Sequence, residues 1–334
     1  MSEPADYALA TRGLTKSYGS RRALDGLDLS VPPGIVYGFL GPNGAGKTTT
    51  MRLLTGLIRP DAGRIELLGR PFGRGDRRRL FDIGALIEAP SFYPYLSGRA
   101  NLREFAAAGA PVGAGRSDEL LELVGLRDRA DDRVQDYSLG MKQRLAIAVA
   151  LLSDPRLLLL DEPANGLDPA GIVAVRDTLR ELAAQGRTVF VSSHLLAEVQ
   201  AVADVVGIIA AGRLVREGPL REMLTVEGTV RVRVRPELVS SAVAAASTLA
   251  PAEALPSGDD GPGWLLVHVE PHRAEEVSRV LAGQGIYASE LEAGTDLEML
   301  FLELTAGQTA AEDGAFGRQR AAAAAPRPRG DGAR

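Results

Sequence analysis

The sequence predicts an α/β fold in which a parallel sheet core carries an antiparallel β flank and a helical subdomain, and a small α+β domain follows. Apolar runs of strand length alternate with helix-like segments between residues 35 and 209, the pattern of a parallel sheet with helical crossovers. Short alternating pieces before Ile35 indicate the antiparallel flank. From Glu227 the composition changes, and the run Gly-Thr-Val-Arg-Val-Arg-Val-Arg alternates as a half-buried strand does.

The elements of the first domain, expected over residues 7–224, follow from apolar runs and helical spacing. The apolar run Ile35–Leu40 ends at Gly41 and predicts a buried strand, and Thr48–Gly56 has the spacing of a helix. Further buried strands are predicted at Leu157–Leu160, Thr188–Ser192 and Val205–Ile209. Helices are predicted at Gly98–Ala108, Ser117–Val124, Gly140–Leu152 and Leu195–Ala203.

A second domain is expected over residues 227–305, and it contains no motif that indicates a chemistry. After the strand that begins it, a helix is predicted at Glu237–Leu249 and a loop at Pro251–Gly263. The remaining predicted elements are strands at Trp264–Val269 and Ile286–Leu291 and helices at Arg273–Gln284 and Leu297–Leu304. The tail, residues 306–334, has almost no large apolar residues, and we expect it to be disordered.

Composition excludes several classes of function. The 334 residues suffice for about two domains, and 45% hydrophobic with 24% charged residues is typical of a globular protein. Cysteine is absent, which excludes disulfides and thiolate metal sites, and only three histidines argue against a multi-histidine metal site. The net charge of −5 argues against nucleic acid as the main partner.

The sequence also predicts where the protein works. No uncharged apolar run approaches the ~18 residues that a membrane-spanning helix needs. The N-terminus is acidic and lacks the apolar segment of a secretory signal. We therefore expect a cytoplasmic protein that reaches a membrane only through a partner.

A glycine-rich segment between the first buried strand and the first helix predicts a phosphate site. Residues 41–48 fit the pattern G-x-x-x-x-G-K-[ST], in which backbone N–H groups and the helix N-terminus face phosphate oxygens. Lys47 supplies a compact charge for the β and γ phosphates, and the Thr48 hydroxyl can bind Mg²⁺. The alternative is an ordinary turn before a helix. The residues predicted to hold phosphate are Gly41, Pro42, Asn43, Gly44, Ala45, Gly46, Lys47, Thr48 and Thr49.

Two adjacent carboxylates end a later buried strand. Asp161 and Glu162 follow four leucines, and the carboxyl edge of a parallel sheet faces its ligand. We expect Asp161 to hold Mg²⁺ and Glu162 to polarise the water that attacks the γ-phosphate. Strands also often end in solvated acids, which is the alternative interpretation for an isolated pair.

The order of these motifs is similar to that of the nucleotide-binding subunits of ATP-binding-cassette (ABC) transporters, from about residue 7 to residue 224. Tyr18 matches the aromatic residue that stacks on adenine in this family, although it could also be an ordinary strand tyrosine. Residues 137–141, Tyr-Ser-Leu-Gly-Met, match the family's signature loop, usually Leu-Ser-Gly-Gly-Gln. Ser138 and Gly140 are kept, and the resemblance implies that they bind a γ-phosphate at a helix N-terminus.

Three further residues take their roles from the resemblance. Asp168 matches the loop that communicates across the dimer, and His194 matches the histidine that contacts the γ-phosphate. Glu88 stands where the family has the glutamine that senses Mg²⁺ and links to the membrane subunit. Glutamate can bind Mg²⁺, but it cannot donate the hydrogen bond of a glutamine amide.

The resemblance implies a complete function. It predicts an ATP hydrolase with ATP and Mg²⁺ as cofactors that forms a homodimer, with each ATP held between Lys47 of one subunit and Ser138 of the other. A separate membrane permease, contacted near Glu88–Leu102, places the protein on the inner face of the cell membrane. The signature variant, Glu88 and the following Phe-Tyr-Pro-Tyr-Leu resemble the bacitracin and daunorubicin resistance branch, which predicts export of a drug, antimicrobial peptide or other hydrophobic compound.

Two other functions remain open at this point. One is a soluble ABC-type ATPase without a permease that acts on ribosomes or DNA; its relatives carry two cassettes or a long coiled coil, and neither is visible here. The other is a regulatory protein that binds ATP without hydrolysing it, against which Glu162 and His194 argue.

Overall fold

The computed structural model describes residues 7–73, 75–87, 91–109, 112–113, 115–225, 229–255, 262–294 and 301. The chain divides into two compact units, Met1–Met223 and Leu224–Arg334. No helix within these described ranges is both long enough and apolar enough to cross a membrane.

A four-stranded antiparallel sheet forms the β flank of the first unit. Its strands are β1 (Leu9–Tyr18), β2 (Arg21–Val31), β4 (Ala62–Leu67) and β5 (Arg70–Phe72), in the order β2-β1-β4-β5. Strands β1 and β2 form a hairpin in which Tyr18 pairs with Arg21. The inward residues of these strands are leucines and other apolar residues, which agrees with the alternation in the sequence.

The core of the first unit is a six-stranded sheet. Its strands are β3 (Val36–Leu40), β6 (Ile83–Leu86), β7 (Leu157–Asp161), β8 (Thr188–Ser193), β9 (Val205–Ala210) and β10 (Arg213–Pro219), in the order β10-β9-β3-β8-β7-β6. All neighbours pair in parallel except β10 with β9. Strands β3, β8 and β7 are adjacent, so the turns that follow Leu40, Ser193 and Asp161 meet at one edge of the sheet.

Seven α-helices lie among the described residues up to Thr225. They are α1 (Lys47–Leu54), α2 (Gly98–Ala108), α3 (Arg116–Leu123), α4 (Leu139–Ala150), α5 (Pro169–Ala184), α6 (Leu196–Gln200) and α7 (Leu220–Thr225). Helices α2, α3 and α4 pack against one another around Leu102, Leu120 and Leu145. These three helices are the expected helical subdomain, and the predicted fold class is confirmed.

Helix α5 is absent from the predicted elements, although its signals are present in the sequence. Asp168 caps its N-terminus, proline follows at the first position, and the buried Val175, Leu179 and Leu182 lie on one face. Helix α6 is shorter than predicted, because only Leu196–Gln200 of the predicted Leu195–Ala203 is helical.

The second unit has the order β-α-β-β-α-β. Its elements are β11 (Thr229–Arg233), α8 (Val239–Ala246), β12 (Ala252–Ala254), β13 (Trp264–Val267), α9 (Ala274–Gly283) and β14 (Glu290–Gly294). The strands form an antiparallel sheet in the order β12-β13-β11-β14. Val230, Val232, Leu265 and Val267 share one hydrophobic core with both helices.

Two predictions for the second unit differ from the structure, and two others lie outside it. Ile286 is buried, yet it belongs to the turn after α9, and the strand begins only at Glu290. Strand β12 lies inside the predicted loop. The predicted helix Leu297–Leu304, apart from residue 301, and the tail 306–334 lie outside the described residues.

Candidate functional site

The turn between β3 and α1 can form only with glycine at two positions. A Cβ on Gly41 would lie 2.4 Å from the carbonyl oxygen of Ile209. Gly46 has φ of 117°, a left-handed conformation, and a Cβ there would lie 2.6 Å from Cδ2 of Leu24. The turn therefore brings the N-terminus of α1, with its unpaired backbone N–H groups and positive dipole end, to the carboxyl edge of the sheet.

Lys47 lies inside this turn. Its side chain is only 6% exposed, and Nζ donates hydrogen bonds to the carbonyl oxygens of Gly41 at 2.7 Å and Pro42 at 3.3 Å. Nζ also lies 3.2 Å from Oε1 of Glu162. The ammonium group of Lys47 is thus held within the turn by two backbone carbonyls and one carboxylate of the same chain.

Asp161 and Thr48 are already in contact. The hydroxyl of Thr48 donates to Oδ2 of Asp161 at 2.7 Å, and the hydroxyl of Ser192 donates to Oδ1 at 2.5 Å. A hydroxyl and a carboxylate are hard oxygen donors of the kind that Mg²⁺ prefers. Across the described ranges no group of three or more Asp, Glu, His or Cys could hold a metal by itself. These two residues therefore fit Mg²⁺ as part of a set completed by phosphate oxygens and water.

Glu162 connects the lysine to the histidine. Its Oε2 lies 2.8 Å from Nδ1 of His194, and its backbone N–H donates to the hydroxyl of Ser192 at 3.0 Å. Its φ of 49° is in the left-handed region, which costs about 1–2 kcal/mol for a residue other than glycine. This backbone conformation directs the carboxylate between Lys47 and His194.

These residues line one open cavity of about 690 Å³, within the range of small-molecule and cofactor sites. The residues lining it are Tyr18, Arg21, Ala23, Asn43, Gly44, Gly46, Lys47, Thr48, Thr49, Glu162, Asn165 and His194. Gly41, Pro42 and Ala45 belong to the same loop, but they are buried and do not line the cavity. Asp161 reaches the cavity through its contact with Thr48.

Three residues of the lining are missing from the predicted site: Arg21, Ala23 and Asn165. The hairpin explains the first two, because Arg21 pairs with Tyr18 across β1 and β2. An arginine side chain near a phosphate loop is a detectable signal once the hairpin is recognised. Asn165 lies between two predicted site residues, Glu162 and Asp168. Its position in the sequence is the signal that could have predicted it as a site residue.

The signature loop and Asp168 lie apart from this cavity but next to each other. The hydroxyl of Ser138 accepts from the backbone N–H of Met141 at 3.2 Å and caps α4. Asp168 caps α5 by accepting from Gly171 at 3.0 Å. A Cβ on Gly140 would lie 3.9 Å from Oδ1 of Asp168. Within one chain, Ser138 and Asp168 act as helix caps, and neither they nor Gly140 line the cavity of Lys47.

The segment predicted to contact a permease is described only in part. Glu88 lies outside the described residues. In the rest of the segment, Tyr93 and Tyr95 are exposed, and the buried Asn101 ties the turn to α2 by accepting from the backbone N–H of Tyr93 at 2.8 Å. Exposed tyrosines on an ordered turn are suited to contact with another protein.

A known protein family matches much of the part of the chain that builds this site, including the phosphate loop and Glu162. Residues 24–165 match the family model described as ABC transporter. The bacitracin transport ATP-binding protein BcrA of Bacillus licheniformis is 48% identical over 212 residues, which are 63% of this chain and 69% of that protein. The daunorubicin resistance ATP-binding protein DrrA3 of Streptomyces coeruleorubidus is 43% identical over 69% of this chain and 74% of that protein.

One relative extends through the second unit. The uncharacterized ABC transporter ATP-binding protein YdbJ of Bacillus subtilis is 37% identical over 307 residues, which are 91% of this chain and 96% of that protein. Its match covers residues far beyond the cassette, so the second unit is part of the similarity.

Solved structures share the architecture of the first unit. The cbiO1 protein of Clostridium perfringens, described as part of the ABC transporter complex cbiONQ, has a TM-score of 0.60 at 29% identity, over 65% of this chain and 90% of that one. A dimeric post-hydrolysis state of an ATP-binding cassette bound to ADP and Pi has a TM-score of 0.57 at 26% identity, over 64% of this chain and 99% of that one.

Proposed function

The chain belongs to the family of ABC transporter ATP-binding proteins, whose members hydrolyse ATP to power transport, and from this premise we propose how its own residues do so. ATP binds in the Lys47 cavity and is hydrolysed with Glu162 as the general base. The observation that carries the proposal is the array in which Glu162 contacts both Lys47 and His194.

Binding depends on the turn and its lysine. The backbone N–H groups at the N-terminus of α1 bind the phosphate oxygens, and Lys47 exchanges its carbonyl partners for the β and γ phosphates. Tyr18 stacks on the adenine, and Thr48 with Asp161 holds Mg²⁺. When bound, Mg²⁺ neutralises negative charge on the phosphate oxygens.

Hydrolysis follows from the position of Glu162. The carboxylate accepts a proton from a water molecule as the water oxygen attacks the γ-phosphorus, and the bond from that phosphorus to the β-phosphate oxygen breaks. His194 holds the carboxylate in place and lies against the γ-phosphate. The products are ADP and inorganic phosphate.

A second copy completes the site. Ser138 and Gly140 lie outside the cavity of their own chain, which supports their use on the ATP of a partner subunit. Two ATP molecules then join a head-to-tail homodimer. Hydrolysis replaces one bound triphosphate by two separate anions, whose repulsion opens the dimer.

The proposed role is to drive a separate permease that exports a drug, antimicrobial peptide or other hydrophobic compound. The similarity to bacitracin and daunorubicin resistance proteins supports this class of cargo. In this proposal the exposed Tyr93 and Tyr95 form part of the permease contact, and the protein works at the inner face of the membrane. Deletion of the gene should increase sensitivity to such a compound, and Lys47→Ala should not restore resistance.

Phosphate release from ATP with Mg²⁺ tests the enzymatic part of the proposal. The wild type should release phosphate, and Lys47→Ala should release none above background, because it removes the charge that binds the β and γ phosphates. Glu66→Gln, which removes an exposed carboxylate on β4, is the control and should match the wild type. Normal turnover by Lys47→Ala would contradict the assignment.

A further inference from the structure

Lys16 lies over the ring of Tyr18, at the edge of the cavity. Its Nζ is 5.7 Å from the ring centroid, a distance at which a cation is attracted by the π electrons. Lys16 is one of only three lysines in the chain, the others being Lys47 and Lys142. Its side chain is 16% exposed, whereas the Tyr18 residue is 47% exposed. The lysine side chain is therefore largely buried, whereas the aromatic residue beside it is about half exposed.

Asp61 holds Lys16 and the strand that carries it. Its Oδ1 accepts from Nζ of Lys16 at 2.8 Å, and its Oδ2 accepts from the backbone N–H of Ser17 at 2.6 Å. Its own backbone N–H donates to the carbonyl oxygen of Thr15 at 2.9 Å. The hydrogen bonds from Lys16 and Ser17 hold the pKa of Asp61 below its ordinary value, so the carboxylate is ionised at neutral pH.

Tyr18 lines the cavity, whereas Lys16 does not. Because Nζ of Lys16 lies over the ring, the lysine covers one face of the ring and leaves the other face for a base. Without this support an aromatic side chain at the end of a hairpin could rotate away from the cavity, and stacking a base on it would require it to be immobilised first.

We propose that Lys16 and Asp61 are positioning residues for the nucleobase: Asp61 fixes Lys16, and Lys16 fixes the Tyr18 ring as the stacking surface. The inference rests on the proposed binding of ATP in this cavity. According to this proposal, the two residues strengthen ATP binding through the base. They do not affect the binding of the phosphates. The competing explanation is an exposed ion pair that stabilises the β flank alone.

Calorimetric titration with two ligands separates these explanations. Lys16→Met and Asp61→Asn should each weaken ATP binding about two- to fivefold, the size of an exposed cation–π contact. Binding of inorganic tripolyphosphate, which has no base, should be unchanged. Asp61→Asn keeps an acceptor for the N–H of Ser17, so the strand retains that hydrogen bond. Lys16→Arg keeps a cation over the ring and should bind ATP like the wild type.

The control is Arg64→Met, which breaks the exposed contact of 3.6 Å between Arg64 and Glu66 on the neighbouring strand β4. It should leave the affinity for both ligands unchanged. Equal weakening of ATP and tripolyphosphate by Lys16→Met would overturn the inference, because the lysine would then act through its charge on the phosphates. Unchanged affinity for both would also overturn it.

A double-mutant cycle gives a second readout. In a Tyr18→Ala background, Lys16→Met should have no further effect on ATP affinity, because its partner is already gone. A full additional loss would overturn the inference. If the wild type bound neither ATP nor tripolyphosphate, the proposed function itself would be wrong. If the wild type binds both ligands and the variants do not behave as expected, only the role of Lys16 and Asp61 is wrong.

Discussion

At the scale of single residues, Glu162 is one of four residues other than glycine with a positive φ among the described residues, and it lies in the site. A left-handed conformation costs about 1–2 kcal/mol for a residue with a Cβ, and here it accompanies the contacts of the carboxylate with both Lys47 and His194. The conformation is thus a cost in stability that serves the chemistry.

Alanine is usually more stabilising than glycine, and we expect the opposite order at position 162. Glu162→Gly should be more stable than Glu162→Ala by about 1 kcal/mol, because glycine adopts φ of 49° without strain, whereas alanine is favoured in ordinary backbone. Urea unfolding of both variants measures the difference, and neither should hydrolyse ATP. An alanine variant as stable as the glycine variant would show that position 162 is not strained.

The site residues differ in how far the sequence could predict them. Lys47 and Thr48 belong to one continuous motif, and Asp161 with Glu162 ends a recognisable strand, so local pattern was sufficient for their prediction. Arg21 reaches the cavity because a hairpin returns the chain beside Tyr18, so its prediction requires the hairpin to be recognised first. The roles of these residues stay predictions until they are tested, as does that of Glu88.

At the scale of elements, two helices of the same subdomain begin with equivalent caps. The hydroxyl of Ser97 accepts from the backbone N–H of Ala100 at 3.2 Å on α2, and that of Ser138 accepts from Met141 at 3.2 Å on α4. As caps the two serines are interchangeable, which makes one a control for the other.

Replacing each serine by alanine should separate structure from function. Ser97→Ala and Ser138→Ala should each lower the free energy of unfolding by about 0.5–2 kcal/mol. Only Ser138→Ala should also reduce ATP turnover, by about tenfold or more, because it removes a hydrogen bond to a charged phosphate. The two effects are measured by urea unfolding and phosphate release. Equal turnover of the two variants would leave Ser138 as a cap alone.

A second prediction concerns the turn between α4 and β7. Asp154 lies 3.0 Å from Arg116 of α3 and 2.6 Å from Arg187, which precedes β8. Hydrogen bonding to Arg187 and the charge of Arg116 hold the pKa of Asp154 below its ordinary value. A lowered folded-state pKa contributes stability above the unfolded-state pKa, and this contribution is lost as the pH falls through the folded-state value.

Asp154→Asn should therefore lower the free energy of unfolding by about 0.5–1 kcal/mol at pH 7, the size of an exposed ion pair, and the deficit should shrink below about pH 4. Asparagine tolerates the left-handed φ of 52° at this position, so the backbone stays unchanged. Asp177→Asn, which removes an exposed carboxylate 3.5 Å from Arg176, is the control. A deficit that is independent of pH would exclude the ion pairs as its cause.

The elements themselves show where sequence patterns succeed and fail. Strands β3, β7 and β8 are buried on both faces, so their continuous apolar runs predict them well. Helix α5 begins directly after the predicted site residue Asp168. From the sequence we assign a role to Asp168 but no helix to the apolar residues that follow it, although their spacing is helical. Ile286 is apolar because it packs in the core of the second unit, although the strand begins four residues later.

At the scale of the whole molecule, the two units differ in what they contribute to the candidate site. The first carries the complete cavity, with residues from β1 to His194 brought together by a sheet whose strand order differs from the chain order. The second has its own sheet and core, and the match to YdbJ includes it. The predicted domain limits, residues 7–224 and 227–305, stay predictions.

The central claim is that ATP held at Lys47 joins two copies of the chain. Sedimentation velocity of Glu162→Gln with ATP and Mg²⁺ tests it most directly, because that variant keeps the contact with His194 but cannot accept the proton of the attacking water. The account predicts a dimer with ATP, a monomer with ADP, and a monomer when Ser138→Ala or Lys47→Ala is added. A Glu162→Gln protein that stays monomeric at saturating ATP would contradict it.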